Sequence, residues 1–336
     1  MRAFLFTVAA IFLGCGSPTV AADFYAGRQI TILVGFTPGG TYDQIARFYA
    51  RHLARFIPGK PTIVVQNMPG AGSLVATTHL ANVAPRDGTV LGIVNGGVAL
   101  EPILGNPQAR YDSRNFGWIG SRSGDTFVCA ISSTSAVATI EQAKTREIVA
   151  GSTGPGSRTL IYPIAMNELL GTKFKVVSGY PGGNEISMAV EKGEVESYCG
   201  WAVSSIRQRS MDWVKQGKIR LLAQFALTKN NDFPDVPLAT DLAKTPTARS
   251  AFEFLSADAV NAWPMVAPPG LPVDRLELLR NALMAMLSDP EARDDGIKSG
   301  MEIDPVPGVE LEALINRLYK TPPEVIALVK KIVEAR

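Results

Sequence analysis

Residues suited to holding an anion cluster in Thr37-Pro38-Gly39-Gly40-Thr41-Tyr42-Asp43. Glycines leave backbone N–H groups bare, and a helix that starts just after them turns the positive end of its dipole toward whatever lies in front. This suits a carboxylate. The alternative gives the glycines to a turn and Thr41 or Asp43 to helix capping. The elements that must position these residues are readable on either side. Residues 30–36, Ile-Thr-Ile-Leu-Val-Gly-Phe, read as a buried strand, and 44–53 have helical spacing.

The arrangement recurs. Residues 62–66 read as a strand, followed by a loop carrying Asn67, Gly70, Ala71, Gly72 and Ser73 and then a helix from 74. Residues 90–94 end in Asn95, Gly96 and Gly97, and 147–151 lead to Gly156, Ser157, Arg158 and Thr159. In open α/β sheets ligands lie beyond the carboxyl ends of strands, so the four loops can share one site. Arg158 could clamp a second carboxylate through its planar fork or lie on the surface beside the loop. Trp201 could stack on an aromatic acid or cap the cleft, and core packing is the other reading.

Other chemistries lack their residues. No Gly-x-x-x-x-Gly-Lys-Ser/Thr is present, and Gly154-x-Gly156-x-x-Thr159 lacks the third glycine of a dinucleotide fingerprint, so no nucleotide cofactor is expected. There is no Gly-x-Ser-x-Gly elbow. The two histidines, His52 and His79, fall in predicted helices, where partial exposure is expected, and neither they nor the cysteines have metal-ligand spacing. No metal is expected.

Met1-Arg2, an apolar stretch over 3–14 and Val20-Ala21-Ala22 read as an export leader cleaved after Ala22, which places the mature chain in the periplasm. Cys15 raises lipidation as a lesser alternative. The formal charge of +2 drops by one when Arg2 leaves with the leader, which argues against a nucleic-acid partner. Cys129 and Cys199 could pair in an oxidising compartment or stay as two buried thiols.

The 336 residues exceed what one core organises, and strand and helix patterns alternate, as in an α/β protein with mainly parallel sheets. A second unit begins near Thr126 and runs to Ala226. A turn-rich stretch at 230–237 follows, and 274–288, 309–319 and 324–335 read as helices.

Three segments together resemble the solute-binding receptors of tripartite tricarboxylate transporters, the Bug or TctC-like family. They are Val34-Gly35-Phe36-Thr37-Pro38-Gly39-Gly40-Thr41-Tyr42-Asp43, Val65-Gln66-Asn67-Met68-Pro69-Gly70-Ala71-Gly72-Ser73 and Pro85-Arg86-Asp87-Gly88-Thr89-Val90-Leu91. The resemblance covers essentially all of the mature chain. It implies a two-lobed clamshell of the periplasmic-binding-protein kind, each lobe a helix-flanked sheet, with lobe one from 23–121 and 227–336 and lobe two from 122–226. It further implies a monomer that closes on a small organic acid and presents it to membrane permease subunits. Carried over residue by residue, the ligand would meet Thr37, Pro38, Gly39, Gly40, Thr41, Asn67, Gly70 to Ser73 and Asn95 to Gly97 from lobe one. Lobe two would add Gly156 to Thr159, Tyr180, Pro181, Gly182 and Gly183.

The chain departs from the family at Ser157-Arg158-Thr159-Leu160-Ile161-Tyr162, where many relatives read Gly-Ser-x-x-His-Leu, and at Ser178-Gly179-Tyr180-Pro181-Gly182, where others read Val-Pro-Tyr-x-Gly. The identity of the acid therefore does not carry over. A rival reading is an exported transferase or hydrolase using Asp43 or Glu185 as a base. It lacks a paired acid, a nucleophile or a cofactor motif.

Overall fold

The computed structural model describes residues 24–154 and 157–334. The leader with Cys15, the cleavage after Ala22, and Gly156 lie outside them. Two sheets form the two lobes. The first sheet has the order β11-β4-β10-β3-β1-β2, built from β1 Gln29–Val34, β2 Thr62–Asn67, β3 Val90–Ile93, β4 Gly117–Ser121, β10 Pro264–Ala267 and β11 Val306–Pro307. The second has the order β7-β6-β8-β5-β9, from β5 Phe127–Ser132, β6 Ile148–Ser152, β7 Phe174–Ser178, β8 Ser197–Ala202 and β9 Ile219–Phe225.

β1 is the central parallel strand of the first sheet, with Ile32 opposite Val65 on one side and Leu91 on the other. Ile30, Ile32, Leu33 and Val34 are buried, while Gln29 at its start is exposed and Thr31 half-buried. Both sheets are mixed rather than mainly parallel. β10 pairs antiparallel with β3 and β4, and β5 pairs antiparallel with β8 and β9. β5 follows β4 through the outward passage with no helix between them.

The outward passage, 122–126, lies against residues 259–263, which lead into β10. The Asp125 N–H donates to the Ala259 carbonyl (2.8 Å), and the Ser121 hydroxyl donates to the Trp263 carbonyl (3.1 Å). The carboxylate of Asp125 accepts from the hydroxyl and N–H of Ser204, which fastens the passage to the helix Val203–Arg209. Helices Pro246–Ser256 and Pro323–Glu334, from the part of the chain that sequence reasoning assigns to lobe one, pack on the lobe-two helix Arg158–Leu170.

Cys129 and Cys199 face each other on β5 and β8, and a disulfide joins them across 70 residues of chain. His52, expected on a partly exposed face, is buried. Its ring lies 5.3 Å from that of Phe48, and its Nε2 is 2.7 Å from an Asp295 oxygen.

Candidate ligand site

A cavity of about 180 Å³ lies between the lobes, lined by residues that follow β1, β3 and β6 and by the end of β8. Three helices begin at its wall: Thr41–His52, Arg158–Leu170 and Gly183–Lys192. Their N-cap residues Gly40, Ser157 and Gly182 all line it, and none makes a side-chain cap hydrogen bond. Gly40 and Gly182 have no side chain to offer. The Ser157 hydroxyl donates instead to the Gly154 carbonyl (2.7 Å) and lies 2.7 Å from Thr159 Oγ1. Three positive dipole ends thus converge on one space, an arrangement that favours an anion.

Arg158 adds a full charge. It is 7% exposed, with its guanidinium 4.0 Å from the centre of the Phe127 ring, and its Nη1 donates across the cleft to the Tyr42 hydroxyl (3.3 Å). Gly96 lets the Asn261 backbone come close: a Cβ there would stand 1.8 Å from the Asn261 carbonyl oxygen, and also 3.1 Å from Arg158 Nη2. Beside Arg158, a hydroxyl chain ties the lobe-two loop together. Thr159 Oγ1 accepts from the Thr153 N–H (2.9 Å) and donates to Ser152 Oγ (3.1 Å).

Of the residues singled out from sequence, Thr37, Pro38, Gly40, Thr41 and Asn95 line the cavity from lobe one. Ser157, Arg158, Thr159, Pro181, Gly182, Gly183 and Trp201 line it from lobe two. Asp43 stands behind the wall. Its carboxylate accepts from the Gly39 N–H (2.9 Å), from Arg47 Nε (2.8 Å) and Nη2 (3.1 Å), and from Asn67 Nδ2 (3.0 Å). Burial works to raise the Asp43 carboxyl, but the hydrogen bonds from Arg47, Gly39 and Asn67 together hold it below the usual carboxylate range. Gly39 and Asn67 are thereby committed to the loop's own structure.

The Gly70, Ala71, Gly72 and Ser73 loop packs beneath the cradle rather than facing the cavity. A Cβ on Gly35 would lie 1.8 Å from Ser73 Oγ, so this loop is what the first strand end rests on. Gly97 donates its N–H to the Asn95 side chain (3.0 Å), and Tyr180 packs over Gly151 in the second core cluster.

Apart from Trp201, the aromatic wall was not singled out from sequence. Tyr42 stacks on Phe36 at 4.2 Å between ring centres, Trp263 meets Tyr42 edge-on at 4.8 Å, and Tyr198 stacks on Trp201 at 4.8 Å. Burial pushes the Tyr198 phenol up, and neighbouring Tyr42 adds to this while Arg209 and Arg158 oppose it. Arg209 also lines the cavity and donates to the Asn184 side-chain oxygen. Phe36 and Tyr42 were inside the quoted motif and Trp201 was already a candidate; Tyr198 and Trp263 carried no local signal.

A family model described as tripartite tricarboxylate transporter family receptor matches residues 45–326. The chain is 27% identical over 307 residues to the UPF0065 protein in the gbd 5' region of Cupriavidus necator, covering 88% of this chain and 85% of that protein. Among solved structures it is similar to the periplasmic binding protein BugD (22% identity, TM-score 0.69, covering 92% and 98% of the two chains). It is also similar to MatC from Rhodopseudomonas palustris with bound malate (20% identity, TM-score 0.66, covering 91% and 99%). These structural likenesses establish the two-lobed fold of periplasmic binding proteins, and the sequence match establishes the family: the chain belongs to the tripartite tricarboxylate transporter family of receptors.

Proposed function

We propose that this receptor binds a small organic carboxylate between its lobes in the periplasm and delivers it, as a monomer, to the membrane subunits of a tripartite tricarboxylate transporter. The observation that carries the reading is the convergence of three uncapped helix N-termini on one cavity that Arg158 crosses. Family membership and the malate bound to MatC support the same class of ligand. The ligand's carboxylate would take the N–H groups at Gly40 to Tyr42, with Arg158 at its other end. The lobes are taken as 23–121 with 227–336, and 122–226, which fits the membership of the two sheets, with the loop past β9 still pinned to lobe two by Gln224. A catalytic role for Asp43 fits poorly, because its oxygens are already occupied by donors.

A thermal-shift screen of mono-, di- and tricarboxylates and aromatic acids tests this. At least one acid is expected to raise the melting temperature, while its methyl ester or amide does not, since the neutral forms lose the charge that the helix ends favour. Esters that stabilise as strongly as their acids would overturn the carboxylate reading.

A further inference from the structure

The helix Val203–Arg209 touches four separate parts of the molecule within two turns. Ser204 binds Asp125 in the outward passage, and Ser205 Oγ lies 3.4 Å from Thr41 Oγ1 at the cradle of the opposite lobe. Arg207 and Gln208, one step further, lie outside the cavity lining. The Arg207 guanidinium forks: Nε donates to Asp232, and Nη1 donates to Glu302. Gln208 Nε2 donates to the Gly300 carbonyl (2.6 Å).

The two carboxylates have different standing. Asp232 lies just past the lobe-two boundary, in a loop pinned to the lobe-two strand β9 by Gln224, whose Nε2 donates to the carbonyls of Phe233 (2.9 Å) and Val236 (2.8 Å). Glu302 belongs to the strap 300–304 of lobe one. That strap is itself bound to the passage between lobes, since Arg122 Nη1 donates to the Glu302 carbonyl and the Asp304 N–H donates to the Arg122 carbonyl (2.9 Å). Ile303 packs against Gly296, whose missing Cβ would lie 2.5 Å from Ile303 Cδ1. One partner therefore aims the guanidinium, and the other receives it across the gap between lobes. An Arg fork suits this task because its planar donors can serve two carboxylates at once.

We propose that Arg207 is a positioning residue for closure, aimed by Asp232 and engaging Glu302 of the opposite lobe so as to hold the cleft shut without touching ligand. Its connection to ligand retention rests on the receptor reading above; the inter-lobe contact does not. The side chains are 31% exposed for Arg207 and 41% for Glu302, so the pair is partly screened and its effect on the open-to-closed ratio is expected to be about two- to fivefold. A latch of this size biases closure while leaving the receptor able to reopen.

The test measures inter-lobe distance in the ligand-free protein. Val83 and Met188, exposed on opposite lobes, are replaced by cysteine and spin-labelled, and the distance distribution is read by pulsed electron paramagnetic resonance. Glu302→Gln and Arg207→Gln should each enlarge the long-distance population, the double variant should equal either single one, and added salt should move the wild type but not the double variant. Arg207→Lys should fall between, because it keeps the charge and loses the fork, and Asp232→Asn should give a partial shift. Distances unmoved by these substitutions, or effects that simply add, would overturn the latch. Failure of every acid to bind would instead sink the receptor reading and leave these distances as they are.

Discussion

At Gly40 the backbone is extended, with φ −77°, and a Cβ would meet only the Thr37 carbonyl oxygen at 3.7 Å. The fold therefore accepts a side chain there, and the cavity does not. Gly40→Val is expected to leave the melting temperature of the free protein nearly unchanged and to weaken acid binding at least tenfold, about 1.4 kcal/mol or more, by calorimetry. Unchanged affinity would remove this loop from the site. Asp43 gives the opposite pattern. Asp43→Asn turns an amide toward the Arg47 and Gly39 donors and should cost about 1–3 kcal/mol of stability. Because the folded carboxyl is held below its ordinary value, its contribution is complete above about pH 4 and is lost as pH falls through the lowered folded value. The gap in melting temperature between wild type and variant should accordingly be widest near neutrality and narrow in acid.

β5 and β8 are buried along their whole lengths, and the disulfide between them spans 70 residues. Chain-entropy arguments assign a closed loop of that length roughly 4 kcal/mol of stabilisation, so Cys129→Ser with Cys199→Ser should lower the melting temperature of the unreduced protein by several degrees. An unchanged midpoint would show that the bond adds nothing to stability. Strands followed by glycine-bearing loops and helices were legible from sequence because each strand-to-helix unit is local: Ile32, Gly40 and Ile45 lie within a dozen or so residues. The antiparallel placement of β5 and β10 was not legible, since it depends on where the chain passes between lobes. The same limit blurred the site. The Gly70 to Ser73 loop needs small residues to pass under Gly35, and a ligand loop would need them too, so composition could not separate support from contact. Phe127, Tyr198 and Trp263 sit far apart in the chain, and only the meeting of the two lobes turns them into a cavity wall.

A ligand held by Gly40 and Asn95 on one side and by Arg158 and Gly182 on the other gains its contacts from both lobes only when they are together, and so it favours the closed state by its differential affinity. Small-angle scattering should report a smaller radius of gyration at saturation with the acid that stabilises most. No compaction would count against closure as the binding event. The order of strands in the first sheet has a consequence for how such a molecule is assembled. β10 sits between β3 and β4, so these early strands have no mutual pairing and wait for residues 264–267, which are synthesised after all of lobe two. Lobe two can complete its ladder from 127–225 while lobe one still presents two open strand edges. Unpaired edges recruit other chains, and distant pairings form slowly. An emerging chain is thus exposed to misassembly on its N-terminal side until its C-terminal third arrives, which makes β10 the closing stitch of biogenesis and lobe one the part that a chaperone would need to shield.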